Sequence, residues 1–207
     1  MIKINTLALG DYQTNCYIVR EEGAKGCAVI DPGYDPQRIL DFLQKEDLAL
    51  EAILLTHGHF DHVGAVKALA KATGCKVYMR ERDYSQIKTP VTLYFYPLAN
   101  CIEPEIEFCE EGEAISAGGL VFRVMETPGH TWGSVCYLCQ DAIFSGDTLF
   151  EGSCGRTDLP GGDSKTILAS LSRLSGLEGD FRVYPGHGPS TSLSEERRFN
   201  PFMRGIV

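Results

Sequence analysis

The sequence predicts an α+β chain built as two mixed sheets packed together with helices outside, and three observations point that way. Strand-like runs fill the first third of the 207 residues, helix–strand units follow, and the chain then repeats strands followed by helix and strand. Four apolar segments each run into a turn carrying His or Asp. They are Ala52-Ile53-Leu54-Leu55 before His57, Val121-Phe122-Arg123-Val124-Met125 before His130, Ala142-Ile143-Phe144 before Asp147 and Phe181-Arg182-Val183-Tyr184 before His187. Polar residues just past strand ends converge on one rim of a sheet, where such folds place their sites. A hydrophobic content of 43%, with no linker, repeat or low-complexity tract, suits a single domain spanning 1–207 with a sizeable core.

The elements follow in order. Strands are expected over Ile2 to Leu9, Asn15 to Arg20 and Gly26 to Ile30. Asp35-Pro36 reads as an N-cap with proline at the first helical position, and Ile39, Leu40, Phe42 and Leu43 give that helix an apolar face. Strand Ile53 to Leu55 leads into a second helix with Val66, Leu69 and Ala70 inward, then strand Lys76 to Met79. The aromatic stretch from Glu81 to Cys101, with Tyr84, Tyr94, Phe95 and Tyr96, either packs on the core or walls that rim. Strands resume over Ile106 to Ile115, Leu120 to Met125, Val135 to Leu138 and Ile143 to Ser145. Asp163-Ser164 caps a helix carrying Ile167, Leu168, Leu171 and Leu174 on one side, and the last strand runs from Phe181 to Tyr184.

Bulk charge and cysteine usage exclude several classes. A net charge of −9 argues against a nucleic-acid surface, though scattered Lys and Arg leave room for a small anionic substrate. No apolar run reaches membrane-spanning length and Met1-Ile2-Lys3-Ile4-Asn5 opens a strand, so a cytoplasmic chain with its 8 cysteines reduced is expected. Cys136 and Cys139 form a Cys-x-x-Cys, but on a strand residues three apart face opposite ways, so both read as core thiols.

All 5 histidines fall in three short motifs. These are Thr56-His57-Gly58-His59-Phe60-Asp61-His62, Thr127-Pro128-Gly129-His130 and Tyr184-Pro185-Gly186-His187-Gly188, with Ser145-Gly146-Asp147-Thr148 between the last two. Imidazole and carboxylate are the ligand set of zinc and its first-row neighbours, and these residues are about what two such ions need.

At these motifs, together with Ile30-Asp31-Pro32-Gly33, the chain resembles the metallo-β-lactamase superfamily and, within it, the glyoxalase II-like hydrolases. The resemblance implies a four-layer αβ/βα sandwich with metals at one edge. It implies that His57, His59 and His130 hold one metal, that Asp61, His62 and His187 hold another, and that Asp147 bridges them. Leu149 to Asp158 and Glu196 to Phe202 are similar to the short branch that lacks the C-terminal helical domain supplying much of the glutathione grip. The usual lysine after the bridging Asp is Arg156 here, the candidate substrate-binding residue, and Gly188 and Pro189 replace the tyrosine that often follows the last His.

The expected chemistry is thioester hydrolysis, as of S-lactoylglutathione, with Asp61 and Asp147 as the catalytic carboxylates. Two divalent ions, zinc before iron or manganese, would share a water and hold it as the hydroxide nucleophile. With every histidine assigned, none remains as a general acid, and a thiolate can leave unprotonated where an amine cannot. The alternative is a mononuclear iron persulfide dioxygenase, since Gly155-Arg156-Thr157-Asp158 also occurs among such relatives. Asp31 reads as a turn former before a ligand-orienting residue. Arg80, Arg82 and Lys88 read as solvated charges, Arg156 with Asp158 as either a salt-bridged loop or part of the rim, and Cys154 as a packed thiol or one facing the metals.

Overall fold

The computed structural model describes residues 1–87 and 105–205. Two six-stranded mixed sheets stack face to face. The first runs β1 (Ile2–Leu9), β2 (Thr14–Glu21), β3 (Gly26–Ile30), β4 (Ala49–Leu54), β5 (Lys76–Met79) and β6 (Ile106–Phe108) in spatial order. Its β1–β3 strands are antiparallel and β3–β6 parallel, with α1 (Pro36–Lys45), α2 (Phe60–Val63), α3 (Val66–Thr73) and α4 (Glu81–Ile87) in the crossovers. The second sheet is ordered β14 (Thr191–Ser192), β13 (Arg182–Pro185), β10 (Ala142–Gly146), β9 (Val135–Cys139), β8 (Leu120–Glu126) and β7 (Ala114–Ala117). A short hairpin, β11 (Leu149–Phe150) with β12 (Ser153–Cys154), leaves its β10 end, and α5 (Ser164–Ser175) and α6 (Leu193–Phe199) complete the chain.

Alternation along the strands sorts the apolar side chains into three layers. Tyr17, Val19, Ala28, Ile30, Ala52 and Leu54 turn inward to meet Phe122, Val124, Val135, Tyr137 and Phe144 between the sheets. Their neighbours Ile18, Val29, Ile53 and Leu55 point outward against Ile39, Leu43, Val66 and Leu69 of α1 and α3. On the opposite side Cys136, Ile143 and Val183 pack against Leu171 and Leu174 of α5 and Leu193 of α6. Each fully buried aliphatic side chain contributes about 1.5–3 kcal/mol, so the two-residue period decides the four-layer arrangement. The same alternation sends Cys136 to the helix side and Cys139 between the sheets, as free core thiols.

The structure departs from the expected elements in two places. The run from Ile106 to Ile115 is two strands rather than one, because the chain leaves the first sheet after Phe108 and enters the second at Ala114. Asp35 occupies the N-cap position of α1 but lies in the left-handed region with φ 51° and makes no side-chain cap, so Pro36 alone sets the helix start. Asp163 does cap α5, accepting from the Thr166 N–H at 2.7 Å. Lys88 and Tyr94 to Tyr96 lie outside the described residues, whereas Tyr84 stacks obliquely on Phe108 at 5.5 Å.

Candidate metal centre

Ligand-bearing loops leave the C-terminal ends of β4, β8, β10 and β13, and the parallel directions of β10 and β13 put their ends on one edge. The last loop is pinned across the sandwich. Asn15 Nδ2 donates to the Pro185 and Gly188 carbonyls at 3.0 and 2.9 Å, and the Tyr17 hydroxyl to Pro185 O at 2.6 Å.

All seven candidate ligands meet at this edge, in two clusters. His57 Nε2 lies 3.1 Å from His59 Nδ1, and His130 Nε2 lies 2.9 Å from the same atom. Alongside, His187 Nε2 approaches Asp61 Oδ2 at 3.2 Å and His62 Nε2 approaches it at 3.6 Å. Asp147 stands between them: its Oδ1 is 3.4 Å from His62 Nε2 and its Oδ2 is 3.5 Å from His130 Nε2 and 3.7 Å from His187 Nε2. Gly186 permits this crowding, because a methyl group there would run into Asp147 Oδ1 and the His62 ring.

Two atoms report directly on what the centre is for. Among the described residues, three buried side-chain polar atoms have no hydrogen-bond partner, and two of them are His62 Nε2 and Asp147 Oδ1. A buried acceptor left unpaired costs about 1–3 kcal/mol; divalent cations shared by these donors would satisfy both. The two clusters fit two such ions in number and donor type.

Hydrogen bonds on the far side of four imidazoles fix which nitrogen faces the centre, while His59 faces it with Nδ1. His57 Nδ1 lies 3.1 Å from Thr56 Oγ1, His62 Nδ1 2.9 Å from Asp31 Oδ2, His130 Nδ1 2.8 Å from Arg156 O and His187 Nδ1 3.1 Å from Tyr12 O. With a proton on each Nδ1, the Nε2 lone pairs point inward. Asp31 is thereby corrected from turn former to orienting residue. It is buried, accepts from Thr56 N and Oγ1 at 2.8 and 2.6 Å, and holds His62 with the same carboxylate.

Electrostatics separate the clusters. Burial, then the surrounding imidazoles, pushes His57 well below the ordinary value, and the same causes pull His59 down to about 3. Burial opposes charge on His62 as well, but Asp147, Asp31 and Asp61 outweigh it and push this imidazole up to about 10. His187 also rises, its burial overcome by the hydrogen bond to Asp61 and by Asp147. Burial tends to raise Asp61, yet His187 and His62 hold its carboxyl well below the usual range.

A cavity of about 470 Å³ opens over the centre, walled by Tyr12, Phe60, Phe150 and Leu159 and rimmed by Arg156. Arg156 does both things expected of it: it reaches this rim and forms a two-pronged pair with Asp158, at 2.7 Å through each nitrogen. Arg80 is corrected. Far from solvated, its largely buried guanidinium pairs with Glu110 and Glu126 at 2.6 and 2.9 Å. Cys154 is partly buried against the α5 and α6 layer. Sequence reasoning missed Thr14, whose hydroxyl donates to Asp61 Oδ2 at 3.1 Å, and the wall residue Tyr12, neither of which lies in a motif, and it gave no wall role to Phe150 within the Leu149 to Asp158 stretch.

Comparison with known proteins agrees with this geometry. The metallo-beta-lactamase superfamily model matches residues 9–187, from the end of β1 to the last histidine. The chain is 33% identical to the hydroxyacylglutathione hydrolase GloC of Haemophilus influenzae, over 98% of both proteins. It superposes on TTHA1623 in a di-iron-bound form with a TM-score of 0.84 and 40% identity, covering 96% of this chain and 99% of that one. ETHE1 from Myxococcus xanthus is also similar, with a TM-score of 0.82 and 31% identity over 98% of this chain and 85% of that one. Fold and family model coincide, and the chain belongs to the metallo-beta-lactamase superfamily.

Proposed function

We propose that the protein is a metal-dependent thioester hydrolase acting on an acyl-thiol such as S-lactoylglutathione, with His57, His59 and His130 around one ion, Asp61, His62 and His187 around another, and Asp147 shared. The observation that carries this reading is that all 5 imidazoles converge on the two clusters, leaving no histidine outside them to protonate a leaving group. A thiolate, whose conjugate acid has a pKa near about 8.5, departs without that help. When bound, a pair of divalent ions supplies water of lowered pKa and an electrophilic hold on a carbonyl oxygen. The chain's own residues do the rest. Nδ1 partners keep the imidazoles aimed, Asp61 and Asp147 supply the negative charge that holds cations, and Tyr12, Phe60 and Phe150 shed water from the reacting carbonyl. Arg156 stands where an anionic substrate arm would pass, its charge shared with Asp158. The likeness to GloC over nearly the whole chain favours the same substrate class.

A second reading has its own support. The likeness to ETHE1 fits a mononuclear iron persulfide dioxygenase, which needs two imidazoles and one carboxylate. One experiment separates the two. Protein of known metal content is given S-D-lactoylglutathione while oxygen uptake on glutathione persulfide is recorded in parallel. Thioester loss with about two ions per chain supports the hydrolase. Oxygen uptake without thioester loss, with one iron, replaces it by the dioxygenase.

A further inference from the structure

A buried carboxylate in the helix that follows β5 has no part in the candidate ligand set yet touches both loops of one cluster. Asp83, in α4, is 1% exposed. Its Oδ2 accepts from the Gly58 N–H and from the Thr131 hydroxyl, each at 2.8 Å, and its Oδ1 accepts from the Gly133 N–H at 2.6 Å. Gly58 is the residue between His57 and His59, and Thr131 follows His130. The three donors therefore flank the His57, His59 and His130 cluster, and none flanks Asp61, His62 or His187.

The surroundings are built to receive this carboxylate. The Thr131 N–H donates to Ser134 Oγ at 3.1 Å and the two hydroxyls lie 2.7 Å apart, so the Ser134 hydroxyl donates back to Thr131, whose own proton goes to Asp83. Gly133 leaves the space: a Cβ there would sit 2.7 Å from Asp83 Oδ1. Burying a carboxylate is expensive unless donors saturate it. An apolar side chain could fill the volume but could not tie two loops from different sheets to one point.

We infer that Asp83 is a positioning residue for the ion held by His57, His59 and His130. By fixing the peptide between the first two ligands and the turn after the third, it sets their separation; the other ion has Asp31 behind His62 instead. This inference rests on the two-ion reading of the centre.

The test titrates metal-free protein with cobalt(II), followed by the visible absorption of the bound ion and by competition with a chromophoric chelator. Wild-type protein is expected to take up two ions. Asp83→Asn, which in either amide orientation turns an NH2 toward at least one of these donors, should keep one ion at wild-type affinity and bind the other about 10–100-fold more weakly. Adding His187→Ala identifies the weakened ion, since the double variant should then hold none tightly. Thr131→Val removes one donor and spares the carboxylate; it should weaken the same ion by a smaller factor, and it decides the matter if Asp83→Asn fails to fold. Equal weakening of both ions, or unchanged affinities, overturns the role of Asp83 alone. A wild-type protein that binds a single ion overturns the two-ion reading and this inference with it.

Discussion

The His57, His59 and His130 cluster is made of imidazoles alone, two of them buried, whereas Asp61, His62 and His187 mix one carboxylate with two imidazoles and bury only His62, His187 having 30% of its side chain exposed; both clusters border the cavity. Burial acts on both and gives opposite results. In the first cluster it keeps His57 and His59 neutral, already in the form a cation binds. In the second, carboxylates defeat it: both His62 and His187 are raised, and His62 holds a proton that a cation must displace. The lesson is that histidine count does not set a site's readiness for metal; the charges facing each ring do. His62 is expected to release a proton on metal uptake, whereas His57 and His59 have none to release at neutral pH.

The largest effect should come from the residue that joins the two. Asp147→Ala is expected to weaken both ions by more than the about 10–100-fold typical of a lost supporting partner and to abolish turnover, as metal analysis and kinetics would show. Full metal content in that variant would break the bridging role. Next comes Asp31→Asn, which unsettles His62 directly and His57 through Thr56. It should cost about 10–100-fold in metal affinity, more for the second ion, and isothermal titration resolves the two steps.

The metal-free protein sharpens the contrast through its pH dependence. Below the ordinary value of 6.5, unfolded His57 and His59 take up protons that the folded chain refuses, so stability falls with falling pH toward about 3. His62 has the reverse sign: its stabilising proton is fully present below 6.5 and is lost as pH rises through about 10. The melting temperature in chelator should therefore peak near pH 6.5 and decline on both sides. A steady rise across pH 6 to 9 would show that the carboxylates do not govern the second cluster. The smallest effect is expected at the rim. Arg156→Ala should raise KM for an anionic thioester about tenfold, about 1.4 kcal/mol, with kcat nearly unchanged; unchanged kinetics would leave the Asp158 pair as its only role.

Legibility in the sequence followed contact range. The convergence of the candidate ligands could be read because His is scarce and three of them, with Asp61, lie within six residues. The four layers could be read because strand periodicity is local. Asp31 was misjudged because Thr56 and His62 are 25 and 31 residues away, and no local signal separates a turn aspartate from one that orients a ligand. Asp83 was invisible for the same reason, its partners lying up to 50 residues off. Arg80 reads as a surface charge until Glu110 and Glu126 fold onto it.

Native mass spectrometry of the metal-saturated protein, counting ions per chain in the wild type, tests the centre most directly. The account predicts two, taken up in distinguishable steps, with a proton released at the second cluster's step. A single ion at saturation would contradict it.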